Sequence, residues 1–285
     1  MAMKLYPETD VQAIASAIRS KNGSASLYKI GDMAAAISEI SSGFSADDIA
    51  KRSYTGDIVL SLTSANIVQY AFNTCNITSF SAPTFTGTFG NYAFTSCANL
   101  VSVSAPVNEK GLASQIFKGC TSLTTVNLPK IRALGSDAFY GCTSLVNVAF
   151  PQLGATLNYV SNGVAANAFQ NCTSLQTCDV GIAKDIAANA FNGCSSLSNL
   201  IMRKTSICSL SNVNAFTGSP AASGGTGINI YIPKSLYDHL GDNGSSDYKA
   251  ATNWTTINGY GTITWHAIEG SYYETHYGDG TEIIS

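Results

Sequence analysis

The sequence IFKGCTSLTTVNLP at residues 116–129 returns almost unchanged as AFYGCTSLVNVAFP at residues 138–151. Each copy has a phenylalanine, a cysteine three residues later, a leucine and a closing proline. Aligned on the phenylalanine, the chain contains seven blocks, separated by 22, 23, 22, 30, 22 and 25 residues. A repeat of this period predicts a solenoid of stacked coils. The block phenylalanines are Phe72, Phe94, Phe117, Phe139, Phe169, Phe191 and Phe216.

Each block contains a short alternating run that predicts one strand of a sheet shared by all coils. In residues 123–128, Leu123, Val126 and Leu128 face the core, and Pro129 stops the strand. The opposite positions are small and mostly polar, whereas binding hot spots favour Trp, Tyr and Arg. We therefore expect a solvated face, with weak glycan contact as the alternative. The positions are Ser79, Ser81, Ser102, Ser104, Thr125, Asn127, Asn147, Ala149, Thr177, Asp179, Asn199 and Ile201.

Six of the eight cysteines occur three residues after a block phenylalanine, and the seventh block has Ser219 instead. We predict reduced, buried thiols that fill tight turns, because free cysteine is among the most buried residue types. Disulfides and metal binding are the alternatives. Zinc usually requires local cysteine pairs, and equivalent side chains on adjacent coils point the same way, which is poor disulfide geometry. The six are Cys75, Cys97, Cys120, Cys142, Cys172 and Cys194.

The composition argues against several classes of function. Only 12% of residues are charged, and the sequence contains no Lys/Arg cluster of the kind that binds nucleic acid. No apolar run reaches the roughly 18 residues that would predict a membrane span. The N-terminal MAMKLYPETD has no apolar segment typical of a signal peptide, so we expect a chain that folds in a reducing cytosol.

No residue set predicts a reaction. The chain has three histidines, none with an acidic or cysteine neighbour at catalytic or ligand spacing, and no G-x-S-x-G, H-E-x-x-H or P-loop motif occurs. We therefore expect no enzyme and no cofactor. A weak calcium site is a further metal alternative, with oxygen ligands drawn from the C-terminal part of the chain. Its candidates are Asp242, Asn243 and Asp247, or Asp279 and Glu282.

Residues 1–44 predict a helical hairpin. Val11, Ile14, Ala15 and Ile18 would share one helical face, and a similar pattern follows in residues 30–37. Such a hairpin could cap the open end of the solenoid or serve as a docking module.

The repeated A-F-x-x-C-x-S-L motif resembles the BspA-like class of leucine-rich repeat, over about residues 57–255. The segments IYIPKSLYDHL and YKAATNW look like the closing part of that class. The resemblance implies an α/β-type repeat solenoid with β-dominated coils of 22–23 residues. We place the solenoid with its cap at residues 45–255, between the hairpin and a β-rich tail.

The segment YPETDVQAIASAIRSKNGSASLYKIGDMAAAISEI resembles a part of tail and baseplate-associated proteins of bacteriophages and prophages. That resemblance implies attachment of the chain to other virion tail or baseplate proteins through the hairpin.

The tail at residues 256–285 is rich in aromatic residues, and residues 218–285 contain two lysines and seven acidic residues. Rigid aromatic side chains with polar tips suit contacts with protein and sugar. The tail could equally be a β-rich cap or an oligomer contact. The candidate binding residues are Trp254, Tyr260, Trp265, Tyr272, Tyr273 and Tyr277.

The leading functional hypothesis is a non-enzymatic phage or prophage tail protein that contributes to recognition of a host surface protein or glycan. A bacterial BspA-like adhesin or protein-interaction module is the first alternative, and a carbohydrate-binding protein is the second. The expected location is the virion, after synthesis in the bacterial cytoplasm, or alternatively the bacterial cell surface. A homo-oligomer is a further expectation, whereas nucleic acid and membrane partners are not expected.

Overall fold

A computed structural model of the chain describes residues 55–60, 63–64, 66–155 and 163–268. The predicted hairpin at residues 1–44 lies outside the described residues, as does most of the extra sequence in the long step between Phe139 and Phe169. No helix among the described residues is long and apolar enough to cross a membrane.

Short parallel strands dominate the architecture, as the repeat predicts. The strands are β1 (Thr55–Val59), β2 (Asn76–Ser81), β3 (Ser102–Ser104), β4 (Gly111–Leu112), β5 (Thr125–Asn127), β6 (Ala133–Leu134), β7 (Asn147–Ala149), β8 (Thr177–Asp179), β9 (Asp185–Ile186), β10 (Asn199–Ile201), β11 (Ser209–Leu210), β12 (Ile228–Pro233) and β13 (Ile263–Ile268). They form a four-stranded sheet in the order β1-β2-β3-β5, a five-stranded sheet in the order β13-β12-β10-β8-β7, and the two-stranded pairs β4-β6 and β9-β11. The helical elements are a 3-10 helix (Val213–Phe216), α1 (Lys234–Tyr237) and α2 (Trp254–Gly259).

The block phenylalanines form one continuous ladder through the core, which confirms the interpretation of the repeat. Consecutive rings stack with centroids 5.0–5.5 Å apart, from Phe72 to Phe216. Phe139 is fully buried between Phe117 and Phe169. Leu123 and Leu128 are also buried, and Val126 packs against the core.

The turn that carries each phenylalanine has a recurrent backbone geometry. In the fourth coil, Asp137 (φ 56°) and Gly141 (φ 71°) are left-handed and lie two residues before and after Phe139. The N–H groups of all three residues donate to carbonyls of the next coil. The acceptors are the oxygens of Ala166, Ala168 and Gln170, at 3.0, 2.8 and 2.8 Å. The backbone N–H groups of every second residue in the turn therefore form a hydrogen-bonded ladder between coils, beside the phenylalanine stack.

The cysteines form a second ladder. Each thiol from the second coil onward donates to the carbonyl oxygen of the phenylalanine in the preceding coil, at 2.8–3.1 Å. All eight cysteines are free and buried, as predicted, and burial raises the pKa of the Cys194 thiol to about 12. Cys178 differs, because it occupies a core position of β8.

In the five-stranded sheet, the outward positions are less exposed to solvent than predicted. Thr177, Asp179 and Ile201, which we expected to be solvated, are buried, whereas equivalent positions in the first sheet are exposed or half-buried. Polar partners account for two of them, because Asn199 donates to the hydroxyl of Thr177 and Arg203 pairs with Asp179.

Candidate interaction surface at the C-terminal end of the sheet

Trp254 belongs to the core and not to a recognition surface. Its ring is fully buried, lies 6.0 Å from that of Phe216 and so extends the phenylalanine ladder. Its indole Nε1–H donates to the carbonyl of Cys208 at 2.7 Å. Trp254 therefore caps the last coil and cannot contact a partner directly, contrary to its predicted place among the binding residues.

Trp265 also packs in this cap. Its partner in the sheet is the buried Ile230, so its side chain faces inward and packs 5.2 Å from the ring of Tyr248. The Tyr248 hydroxyl accepts the N–H of Cys208 at 2.8 Å. Strand β13 pairs with β12 and extends the sheet beyond residue 255, the predicted end of the solenoid.

The other predicted binding residues divide into two groups. Tyr260 follows α2 and is 37% exposed, so it remains accessible on the cap surface. Tyr272, Tyr273 and Tyr277 lie outside the described residues. The predicted aromatic cluster is therefore not brought together as one surface within the described part of the chain.

A different set of side chains meets on the outward face of β12 and β13. Asn229 pairs in register with Thr264, and Tyr231 pairs with His266. The rings of Tyr231 and His266 stack with centroids 4.7 Å apart. Both side chains are half-buried, and Thr264 is exposed. We call Asn229, Tyr231, Thr264 and His266 the C-terminal patch.

A directed chain of hydrogen bonds joins this patch to the neighbouring strands. Asn229 donates its amide N–H to Oδ1 of Asn199 at 3.1 Å, and Asn199 donates to the hydroxyl of Thr177 at 3.3 Å. Oδ1 of Asn229 lies 3.0 Å from Nε2 of His266. Because an amide oxygen can only accept, Nε2 must carry the hydrogen. The chain therefore sets the tautomer of neutral His266 and leaves Nδ1 as an acceptor.

An ion pair, Asp179 with Arg203, begins on strand β8, two strands from Tyr231 in the same sheet. Nε of Arg203 lies 2.8 Å from Oδ2 of Asp179, whose other oxygen accepts the N–H of Gly181 at 2.8 Å. Burial raises the pKa of Asp179, although Arg203 and the Gly181 N–H act in the opposite direction. Asp179 pairs in register with Ile201, and Ile201 pairs with Tyr231, so the ion pair and the aromatic pair are separated by strand β10.

The first sheet presents a simpler outward face. Asp57 accepts hydrogen bonds from the hydroxyls of Thr78 and Ser79 at 2.8 and 2.6 Å, and Asn127 donates to Ser104 at 3.2 Å. These small polar groups bind one another and offer little area for a partner. The outward face of the five-stranded sheet, by contrast, carries Tyr231, and tyrosine is one of the residue types that dominate binding hot spots.

Sequence reasoning missed Asn229, Tyr231 and Arg203. The signal for the first two was present, because INIYIP at residues 228–233 alternates apolar and polar side chains as a half-buried strand does. Arg203 lies two residues after Ile201, which is the last outward position that the repeat pattern predicts. Its pairing with Asp179, 24 residues earlier, depends on the stacking of the coils.

The suggested calcium residues have a structural use instead. Asp247 is buried, and its two oxygens accept the N–H groups of Asn243 and Lys249 at 3.0 and 2.8 Å. Although burial opposes ionisation, hydrogen bonds from the backbone N–H groups of Gly241, Lys249 and Asn243 lower the pKa of Asp247. No group of three or more potential metal ligands occurs in the described ranges, and Asp279 and Glu282 lie outside them.

The family model of the BspA type leucine rich repeat region matches residues 65–164 and 135–238, with six copies. The chain belongs to the BspA-type leucine-rich repeat family. The match covers the coils that carry the phenylalanine and cysteine ladders. It gives no support to the resemblance to phage or prophage tail proteins, which concerns residues outside it. Comparison with curated proteins gives no match.

Solved structures of leucine-rich repeat proteins are similar to parts of the chain. A Treponema pallidum leucine-rich repeat protein is 23% identical, with 57% of this chain and 75% of that chain covered and a TM-score of 0.46. A leucine-rich cell surface protein from Faecalibacterium prausnitzii is 24% identical, with coverages of 64% and 48% and a TM-score of 0.49. A Bacteroides ovatus protein is 21% identical, with coverages of 74% and 42% and a TM-score of 0.41. The chain spans less than half the length of the last two.

Proposed function

We propose that this BspA-type protein is a non-enzymatic interaction module, of the adhesin kind, that binds a protein partner on a cell surface. The observation that carries the proposal is the C-terminal patch, where Tyr231 stacks on His266. Aromatic residues are enriched at protein interfaces. The side chains are held in place by neighbours, so binding would require little additional ordering of the protein.

The chemistry of the described residues favours binding over catalysis. Burial raises the pKa of the Cys142 and Cys178 thiols well above the usual value, which keeps them protonated and poorly nucleophilic. His266 is bonded to an amide oxygen, and His239 pairs with the exposed Asp242 at 2.9 Å. Within the described residues, no hydrogen bond joins either of these two histidines to a hydroxyl or thiol that it could activate.

The experiment measures binding of the fluorescently labelled chain to intact cells. We expect a double variant, Tyr231→Ala with His266→Ala, to lower the affinity about tenfold or more, equivalent to about 1.4 kcal/mol. The matched control is Ser102→Ala with Thr125→Ala on the same face of the first sheet, which should change the affinity little. Unchanged thermal unfolding must accompany both results.

Two treatments of the cells distinguish the partner classes. Loss of binding after protease treatment supports a protein partner, whereas loss after periodate oxidation supports the carbohydrate-binding alternative. Equal effects of the two double variants would reject the C-terminal patch as the site. The phage-tail hypothesis stays a prediction about residues 1–44, and its test is incorporation of a chain that lacks them into virions.

A further inference from the structure

Three Asn–Gly pairs occur in the described part of the chain, at Asn192–Gly193, Asn243–Gly244 and Asn258–Gly259. In such a pair the backbone nitrogen of glycine can attack the asparagine side chain, because glycine has no side chain to obstruct the approach. We propose that Asn243–Gly244 is a self-modification site, at which water converts Asn243 to aspartate and isoaspartate and thereby loosens the C-terminal cap.

The surroundings of Asn243 leave the reacting groups accessible. Asn243 and Gly244 are both exposed, in a loop where Asn243 has a left-handed backbone (φ 56°). The N–H of Gly244 makes no hydrogen bond to another described residue. No atom outside the adjacent residues lies within 4 Å of the place where a Cβ of residue 244 would be. The attacking nitrogen can therefore move toward the side-chain carbonyl of Asn243.

The other two pairs are held in place. The N–H of Gly193 donates to the carbonyl of Thr217 at 2.8 Å, as part of the ladder between coils. Asn258 and Gly259 lie in α2, and Oδ1 of Asn258 accepts the indole N–H of Trp265 at 3.0 Å. Attack at either pair would first have to break these contacts.

The reaction needs only water. The nitrogen of Gly244 forms a bond to Cγ of Asn243, and the amide group leaves as ammonia with the proton that this nitrogen loses. Water then opens the five-membered succinimide at one of its two carbonyls. Opening at the backbone carbonyl gives isoaspartate, and opening at the side-chain carbonyl gives aspartate. Ammonia is released, one water is consumed, and no oxidant or reductant takes part.

The position of the loop connects this reaction to the cap. The N–H of Asn243 donates to Asp247, and the N–H of Asp247 donates to the carbonyl of Gly244 at 3.1 Å. Isoaspartate adds a carbon to the backbone between residues 243 and 244, so both hydrogen bonds must shift. The next residue, Tyr248, packs 5.5 Å from Trp254 and accepts the N–H of Cys208.

The test is ageing of the full chain in mildly alkaline buffer, followed by proteolysis and mass spectrometry of the peptides. We expect Asn243 to be converted about tenfold faster than Asn192 or Asn258, and Gly244→Ala to slow the reaction about tenfold because its methyl group obstructs the nitrogen. The control Gly259→Ala, also in open space, should leave the Asn243 rate unchanged.

Equal rates at the three asparagines, or no response to Gly244→Ala, would overturn the proposed site. The link to the cap has a separate measurement, in which the modified fraction is purified by ion exchange and its thermal unfolding is compared with that of the intact chain. A lower Tm is expected. An unchanged Tm would show that the loop accommodates isoaspartate without loosening the cap.

Discussion

The thiol of Cys142 donates a hydrogen bond to the carbonyl oxygen of Phe117 in the preceding coil, at 3.1 Å. The same oxygen accepts the backbone N–H of Cys120 at 3.1 Å. One carbonyl thus joins a turn to its own coil and to the next one. This arrangement gives the repeated cysteine a role as a donor, in addition to its small apolar volume.

The thiol donor can be tested by substitution at Cys142. We expect Cys142→Ser to destabilise the fold less than Cys142→Ala, by about 1 kcal/mol, because the hydroxyl retains a donor for the Phe117 carbonyl. Denaturant unfolding measures both variants.

Cys178 provides the matched control, because it lies in the apolar core of β8 with no carbonyl acceptor for its thiol among the described residues. There we expect the reverse order, with serine more destabilising than alanine, because a buried hydroxyl without a partner carries a desolvation cost. An alanine variant that is more stable than the serine variant at both positions would mean that the Cys142 thiol acts only by its volume.

Loss of Arg203 should destabilise the fold strongly at neutral pH. Arg203→Met removes the partner of the buried Asp179 carboxylate, which typically costs about 3–5 kcal/mol. We expect Asp179→Asn in the Arg203→Met background to restore much of the loss, because it removes the unpaired charge.

The effect of pH on the Arg203→Met variant has a definite sign. Burial already raises the pKa of Asp179 in the folded chain, and loss of the arginine removes an interaction that lowers it. When the pKa of a carboxyl group is higher in the folded chain than in the unfolded chain, the folded state is destabilised at pH values above the unfolded pKa of about 3.9. This destabilisation decreases as the pH falls through the folded pKa. The difference in free energy of unfolding between the original chain and the Arg203→Met variant should therefore decrease on acidification. A difference that stays constant with pH would contradict this explanation.

The left-handed turn positions differ in residue type between coils. Ser96 (φ 60°) occupies the position that Gly141 (φ 71°) occupies two coils later. We expect Ser96→Gly to stabilise the fold by at most about 1 kcal/mol, because a side chain in this conformation is strained. The reverse change, Gly141→Ser, should destabilise it through strain alone, because no atom outside the adjacent residues lies within 4 Å of the new Cβ. Thermal unfolding that moves in the same direction for both variants would contradict the assignment.

Removal of one ring should interrupt the phenylalanine ladder. Phe139→Ala deletes a fully buried ring that packs against two neighbours, and we expect a cost of about 3–5 kcal/mol from lost burial and the remaining cavity. The control is Val107→Ala, at a position that is 37% exposed, where a change within about 0.5 kcal/mol is expected. A Phe139→Ala chain with unaltered unfolding would show that the ladder does not carry the core.

The sequence by itself determined the repeat, the inward positions and the family. These features are local, because a coil of 22–23 residues repeats its own pattern and each copy identifies its phenylalanine, cysteine and strand. The reduced state of the cysteines followed for the same reason, since every copy places its thiol in an equivalent turn. About the candidate surface, the sequence indicated only that aromatic residues are concentrated near the C-terminus.

Only the tertiary structure decided which of those aromatic residues face outward. Trp254 and Trp265 pack inside the cap because the polypeptide folds back after β12 and covers the last coil. A local sequence pattern cannot predict which part of the chain a later segment packs against. Tyr231 and His266 meet because β13 pairs with β12 in one register among several, and a shift of one residue would exchange the inward and outward sides. The contact between His266 and Asn229 spans 37 residues, so it depends on the fold of everything between them.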